Sequence, residues 1–130
     1  MGIDFLDLSF QIEKKCHLKL EKHAFEHFAR AKEDHEFEVP GCLGMRVYRG
    51  DWRVGTFYEL MRDHTLPICT KCRRTLPKQL VTVACPHCGM PCTYAPLTWN
   101  QFCESLVAVI GKSPGEIRRD HWLQGDLGFM

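Results

Sequence analysis

Two pairs of cysteines place the strongest constraint on how this chain folds. Cys69 and Cys72 form one C-x2-C pair, and Cys85 and Cys88 form a second pair after twelve intervening residues. A two-residue gap lets one tight turn present both sulfurs to the same ion, and four thiolates complete the tetrahedral shell that Zn²⁺ prefers. The spacing therefore predicts a four-cysteine zinc site, with zinc as the expected cofactor.

The segment around these cysteines has the composition of a small metal-dependent module. Residues 65–97 contain five of the seven prolines and five cysteines, but no Asp or Glu. Residues 80–83 are rich in β-branched side chains and predict a strand that leads to Cys85, and Pro86 and Gly89 suit a tight turn there. A segment of about 30 residues cannot bury enough apolar surface to fold alone. We therefore expect a zinc ribbon over residues 65–97.

The ligand set fixes the kind of site that the metal forms. Four thiolates leave no open coordination position, so the predicted site is structural and not catalytic. Cys92 follows the second pair closely and remains an alternative ligand. His87 lies inside the second pair, where we expect an exposed turn residue, although its substitution for a thiolate also stays open. Cys16, Cys42 and Cys103 are expected to be small core residues.

The rest of the chain lacks the marks of an enzyme or a membrane protein. No apolar run approaches the ~20 residues of a membrane helix, and the first residues do not resemble a signal peptide. His23 and His27 stand one helical turn apart, but Ala24 takes the place of the glutamate in an HExxH metal motif. No catalytic triad or phosphate-binding loop is evident. We expect a cytoplasmic protein that is not an enzyme.

Apolar spacing predicts helices on both sides of the cysteine segment. Thr98 is a suitable N-cap for a helix that Gly111 ends, and Ser113 and Glu116 have the spacing of a capping box. Near the start of the chain, Asp4 suits an N-cap, and a helix follows that we expect to end at residues 18–20. Residues 24–29 carry a further apolar stripe. The expected fold is mainly α, with a helical domain formed by residues 1–64 and 98–130 and a small β zinc ribbon at 65–97.

The two ends of the chain form one motif when they are joined. Residues 126–130 read DLGFM and residues 2–8 read GIDFLDL. This order resembles the acyl carrier protein family, in which an acidic DLG loop leads into a DSL signature whose serine carries phosphopantetheine at the start of the second helix. Residues 51–61 resemble the family's last helix. The resemblance implies a carrier-like helical bundle in circularly permuted order, with the zinc ribbon inserted at the joint.

The departure from the family signature determines the expected function. Phe5 stands at the position of the attachment serine, so the phosphopantetheine ester cannot form there. The resemblance then implies a non-catalytic protein-interaction module that docks on a protein partner. A functional acyl carrier with its attachment at a non-signature position, such as Ser9, is the alternative. Residues 1–38 carry nine acidic and six basic residues, unlike the acidic face of ordinary carriers, so partners tuned to that face should bind poorly.

Three further points stay open from the sequence. A nucleic-acid-binding zinc ribbon is the third hypothesis, based on four basic residues, although a zinc ion with four thiolates carries about −2 and offsets half of their charge. The chain is a monomer or a segment-swapped dimer in which residues 98–130 complete a partner's bundle. Residues 38–50 form a short hairpin or an exposed binding loop. The basic residues are Lys71, Arg73, Arg74 and Lys78.

Overall fold

The computed structural model describes residues 3–38, 46–78, 82–93 and 95–129. They form a helix-rich fold with small β elements, which confirms the mainly α prediction at that level. The strands of the described residues make three antiparallel pairs, β1 with β4, β2 with β3 and β5 with β6. In chain order the elements are α1 Ile3–Cys16, β1 Leu18–Leu20, α2 Ala24–Arg30, β2 Glu33–Glu38, β3 Arg46–Asp51, α3 Val54–Asp63, β4 Thr65–Pro67, β5 Thr82–Ala84, β6 Pro91–Thr93, α4 Trp99–Ile110 and a 3-10 turn Pro114–Glu116.

Helix α4 follows its sequence signals closely. The Thr98 hydroxyl accepts a hydrogen bond from the Gln101 backbone N–H at 3.1 Å, and the Gln101 side chain accepts one from the Thr98 N–H at 3.0 Å. These reciprocal bonds satisfy two donors that a helix start leaves free. Gly111, with a φ of 73°, ends the helix in the left-handed conformation that glycine adopts at no steric cost. The predicted bounds of this helix are confirmed.

The region after α1 differs from the prediction. The helix ends at Cys16, and Leu18–Leu20 forms strand β1, which pairs with β4 at Thr65–Pro67. His17, with a φ of 53°, separates the two elements, and this conformation cannot continue a helix. Our prediction that residues 18–20 belong to the end of the helix is therefore wrong. Through its pairing with β1, strand β4 places the start of the cysteine segment at the edge of the helical core.

One hydrophobic core unites both ends of the chain. The Phe57 ring of α3 lies at its centre, with centroids 6.1 Å from Phe5, 4.9 Å from Phe28 and 5.7 Å from Phe129. Offset and edge-on aromatic contacts at these distances add to the stability gained from area burial. Leu106 of α4 is fully buried in the same core. In the described part of the chain, buried residues from positions 3–63 and 97–129 therefore belong to one core.

A buried carboxylate attaches the C-terminal segment to the start of α3. Asp51 is fully buried, and its Oδ1 accepts hydrogen bonds from the backbone N–H of Trp52 at 2.7 Å and of Gln124 at 2.9 Å. Its Oδ2 accepts a third from the N–H of Gly125 at 2.9 Å. Hydrogen bonds to an ionised acceptor are stronger than neutral ones. Asp51 thus fixes the turn that contains Gln124 and Gly125, a role that no local sequence pattern reveals.

The same segment caps the start of α3. The N–H of Val54 donates to the His121 carbonyl and that of Gly55 donates to the Arg119 carbonyl, both at 2.9 Å. A Cβ at Gly55 would lie 3.0 Å from the Arg119 Cβ and 3.2 Å from its carbonyl oxygen. A larger residue at this position would therefore require Arg119 to shift by a few tenths of an ångström. Two of the donors that a helix start leaves unpaired are satisfied by the C-terminal segment.

The hairpin of β2 and β3 extends from the helical core. Glu33 pairs with Asp51 at one end of its register, and Glu38 pairs with Arg46 at the other. Of the two alternatives left open for residues 38–50, the described part of that segment belongs to the paired strands, whereas residues 39–45, with Cys42, lie outside the described residues. Across the described ranges, no helix combines the length and apolar character needed to cross a membrane.

Candidate metal centre

The four predicted ligands come together in the structure. Their sulfur atoms all lie within 4.8 Å of one another. The Sγ atoms of Cys69 and Cys88 are 3.4 Å apart, and those of Cys72 and Cys85 are 3.6 Å apart. Zn–S bonds of about 2.3 Å place the sulfurs of a tetrahedral site about 3.8 Å from one another. The cluster therefore has a geometry that can hold a metal ion.

Two loops of matching backbone structure present the sulfurs. In the first, the N–H of Arg73 donates to the Cys69 carbonyl at 3.0 Å, and in the second the N–H of Gly89 donates to the Cys85 carbonyl at 2.8 Å. The N–H of each leading cysteine donates in turn to the carbonyl five residues ahead, that of Arg74 or Met90. This repetition makes the two C-x2-C loops equivalent halves of one site. We call them the first and second knuckle.

Each knuckle places one residue in the left-handed backbone region. The φ angle is 61° at Arg73 and 76° at Gly89, and each residue follows the second cysteine of its pair. Glycine adopts this conformation freely, whereas a residue with a side chain does so at a cost. Gly89 lies in the turn expected from the sequence and has this positive φ.

A short hairpin connects the second knuckle to the rest of the ribbon. β5, at Thr82–Ala84, leads directly to Cys85 and pairs with β6 at Pro91–Thr93. The strand predicted at residues 80–83 is therefore present where the structure describes it, and residues 79–81 lie outside the described part of the chain. The hairpin brings the knuckle back beside the first pair of cysteines.

Local hydrogen bonds favour ionised sulfurs at two of the four cysteines. The backbone N–H of Cys72 lowers the pKa of Cys69 to about 6. Burial opposes ionisation of Cys85, but N–H groups of its knuckle, including that of His87 at 3.4 Å from the sulfur, lower its pKa. At Cys72 the N–H of Arg74 favours the thiolate, yet burial and the adjacent thiols raise the pKa to about 12. Neighbouring thiolates repel one another, and a cation at the centre of the four sulfurs offsets that repulsion.

Neither of the alternative ligands belongs to the four-sulfur group. The Cys92 thiol packs against it, but donates to the Met90 carbonyl at 3.5 Å, and burial raises its pKa. The exposed His87 ring accepts a hydrogen bond from the Arg74 guanidinium at 2.9 Å through Nδ1. Its expected place as an exposed turn residue agrees with the structure. In the described part of the chain, the four cysteines are the one group of potential ligands that converges.

The ribbon is joined to the helical core by backbone and side-chain hydrogen bonds. The Ile68 N–H donates to the His17 carbonyl at 2.9 Å, next to the pairing of β1 with β4. At the far end of the ribbon, the Tyr58 hydroxyl of α3 donates to the Leu97 carbonyl at 2.8 Å. Leu97 itself is buried in the helical core. Both ends of the ribbon are therefore anchored on the same bundle.

The other predicted functional residues lie apart from the metal centre. Phe5, at the position that the resemblance assigns to the attachment serine, is 1% exposed and packs in the helical core. The Ser9 hydroxyl oxygen is buried and makes no hydrogen bond to a described residue. Neither His23 nor His27 belongs to a group of potential metal ligands in the described chain. The His27 ring stacks on the His64 ring, with 4.2 Å between the ring centroids.

The basic residues of the ribbon divide into two groups. Lys71 and Arg73 are exposed on the first knuckle. Arg74 contacts His87, and the Lys78 ammonium donates to the Asp63 carbonyl of α3. Two of the four cations therefore have contacts within the chain, which weakens the hypothesis of a continuous basic surface for nucleic acid.

Comparison with known proteins identifies no relative of this chain. No family model matches its sequence, no curated protein matches it, and no solved structure matches its fold.

Proposed function

We propose that Cys69, Cys72, Cys85 and Cys88 bind one zinc ion, and that this ion has a structural role. The convergence of the four sulfurs within 4.8 Å carries the proposal. Thiolates favour zinc among the common metals, and four of them close its tetrahedral shell. With no position left for water or substrate, the ion acts through the free energy of folding that its binding contributes.

Metal analysis of the purified protein tests this part of the proposal. Protein prepared under reducing conditions should contain one zinc per chain, and Co²⁺ substitution should give the thiolate-to-metal absorption of a four-sulfur site. Cys85→Ser should lose the metal, because serine does not replace a thiolate ligand of zinc. Cys92→Ser is the matched control and should keep full metal content. Loss of zinc from Cys92→Ser with retention in Cys85→Ser would reverse the ligand assignment.

We further propose that the chain is a carrier-like interaction module that binds a protein partner and has no catalytic role. The shared core of α1, α3 and residues 117–129 supports this proposal, because it brings the DLG segment and the start of α1 onto one aromatic centre at Phe57. This proximity is what a permuted carrier bundle requires.

The surroundings of Phe5 and Ser9 support a module without a prosthetic arm. A transferase needs an accessible hydroxyl, but position 5 is buried, and the Ser9 oxygen is also buried. Burial of position 5 departs from the family, whose attachment serine must reach solvent. A serine at position 5 would therefore leave a cavity in the core rather than restore a working attachment site.

Intact-mass measurement separates this proposal from a functional carrier. After co-expression with a broad-range phosphopantetheinyl transferase, the protein should keep its unmodified mass. A carrier protein with an intact DSL signature, expressed in the same way, should gain the mass of one phosphopantetheine group. The same gain in this chain, located at Ser9 or at any other residue, would overturn the non-carrier proposal.

A further inference from the structure

A fifth cysteine stands directly beside the metal centre. Cys92, on β6, packs against the four-sulfur group without belonging to it. Its thiol lies within hydrogen-bonding range of the Cys69 sulfur. Cys92 is partly exposed, whereas Cys69 is fully buried. The four ligands close the tetrahedral shell, so Cys92 has no place in it while all four are bound.

The backbone supports the Cys92 sulfur in the way that it supports a ligand. N–H groups of the first knuckle, those of Lys71 and Cys72, donate to the Cys69 sulfur. The N–H of Thr70, in the same knuckle, donates to the Cys92 sulfur. Such hydrogen bonds favour the charged form of the sulfur, which is the form that binds a metal ion. One knuckle thus supports two sulfurs, of which the closed shell uses one.

The surroundings of Cys69 leave room for its sulfur to move away. A cavity of about 140 Å³ lies beside the centre, and its walls include Cys92 and both chain neighbours of Cys69, Ile68 and Thr70. Arg73 closes the first knuckle by donating its N–H to the Cys69 carbonyl, and does so with a φ of 61°. That conformation is unfavourable for a residue with a Cβ. Of the two knuckles, the first is therefore the one that releases its leading cysteine more easily.

We propose that Cys92 is a reserve ligand that replaces Cys69 in the metal shell and thereby lets zinc exchange while the ribbon stays closed. This replacement rests on the proposed zinc site and adds a ligand to it. Zinc has no electronic preference for one geometry and can take a fifth ligand in a transition state. The Cys92 sulfur therefore binds before the Cys69 sulfur leaves, and the thiol proton of Cys92 passes to the departing Cys69 sulfur. The shell keeps four thiolates and the same charge.

Single substitutions of the ligands test the replacement. Cys69→Ser should keep one zinc per chain and, with Co²⁺, the thiolate-to-metal absorption of four sulfurs, because Cys92 completes the shell. Cys72→Ser should lose the metal, because the Cys72 sulfur contacts that of Cys85, and the sulfur in hydrogen-bonding range of Cys92 is that of Cys69. The helical circular dichroism signal reports whether each variant folds.

Double substitutions identify the replacing ligand. Cys69→Ser combined with Cys92→Ser should lose the metal. Cys69→Ser combined with Cys16→Ser is the matched control and should keep it. Cys16 lines the same cavity as Cys92, but it belongs to α1 and packs against the helical core.

Exchange kinetics test the reserve ligand in a shell with all four ligands present. Isotopically labelled zinc should replace bound zinc about tenfold more slowly in Cys92→Ser than in the parent, since the incoming fifth sulfur is gone. The zinc content at equilibrium should be the same in both proteins. Cys16→Ser should exchange at the parental rate. Native mass spectrometry follows the isotopes.

Three results would overturn the reserve ligand. They are a loss of zinc from Cys69→Ser as complete as that from Cys72→Ser, retention of zinc when Cys69 and Cys92 are both replaced, and equal exchange rates in Cys92→Ser and the parent. If Cys69→Ser does not fold, the exchange rates alone decide. A parent protein without zinc would overturn the proposed function itself, whereas these three results leave that function intact as long as the parent binds one zinc.

Discussion

Arg73 and Gly89 occupy the same place in two equivalent knuckles, but the backbone there suits them unequally. Both have positive φ angles, of 61° and 76°. For a residue with a Cβ this region costs about 1–2 kcal/mol, and for glycine it costs nothing. The first knuckle therefore contains a local strain that the second lacks. Metal binding offsets this strain when both knuckles close on one ion.

Gly89→Ala should weaken zinc binding about fivefold, which corresponds to a strain of about 1 kcal/mol. No atom lies within 4 Å of the position that a Cβ would take at Gly89, so the cost comes from the backbone alone. Competition with a zinc chelator measures the affinity. Gly115→Ala is the control, because Gly115 also has open space around it but no positive φ. Equal affinities for Gly89→Ala and the parent would contradict the proposed role of the glycine.

Asp51→Asn should lower the free energy of unfolding by about 1–3 kcal/mol. The buried carboxylate accepts three backbone hydrogen bonds, and an amide presents an N–H₂ group to at least one of those donors. Urea unfolding measures the loss. Asp63→Asn, at a side chain that is 58% exposed and paired with Arg62, should change stability by no more than about 0.5 kcal/mol. A similar loss in both variants would argue against the special role of Asp51.

At the scale of elements, helix α4 and strand β1 show what the sequence allows one to predict. Helix α4 has its cap, its apolar spacing and its terminal glycine within one short stretch, so local rules are sufficient. Strand β1 has three residues, and its pairing partner β4 lies far along the chain. The contacts of Asp51 are equally non-local, because its hydrogen-bond partners at residues 124–125 are distant in sequence. Both depend on long-range contacts that no local pattern contains.

Leu106→Ala tests how firmly α4 is held in the bundle. Leu106 is fully buried in the helical core, so truncation should cost about 2–5 kcal/mol through lost burial and a residual cavity. Urea unfolding followed by circular dichroism gives the difference. Leu6→Ala removes the same atoms from a side chain that is 63% exposed, and should cost less than about 0.5 kcal/mol. An effect of Leu106→Ala as small as that of Leu6→Ala would mean that α4 is not part of the core.

At the scale of the whole molecule, the described residues form two separate hydrophobic clusters. The larger belongs to the helices and the C-terminal segment, and the smaller consists of Leu76 and the cysteines. The cysteine spacing was sufficient to predict the smaller cluster. The DLGFM and GIDFLDL segments led us to expect a bundle that includes both ends of the chain, and the Phe5 and Phe129 rings both pack against Phe57. The hydrogen bonds that join the C-terminal segment to the start of α3 have no signal in the sequence.

Removal of zinc should therefore unfold the ribbon and leave most of the helical structure in place. A strong chelator should cause little loss of helical circular dichroism, while trypsin should begin to cut at Lys71, Arg73 and Arg74 of the first knuckle. Restoring zinc should restore resistance to trypsin. Complete loss of the helical signal on chelation would show instead that the bundle depends on the metal.

The meeting of both chain ends on Phe57 has a consequence for synthesis on the ribosome. The cysteine cluster draws its contacts from residues 69–92, so it can close around zinc before α4 has been made. The helical core, in contrast, lacks Leu106 and Phe129 until α4 and the residues after it have emerged. In a translation-arrest force assay, a zinc-dependent folding event should precede a zinc-independent one. The cysteine segment would then fold first, and α1 near the start of the chain would pack into its core only after residues 106–129 have been made.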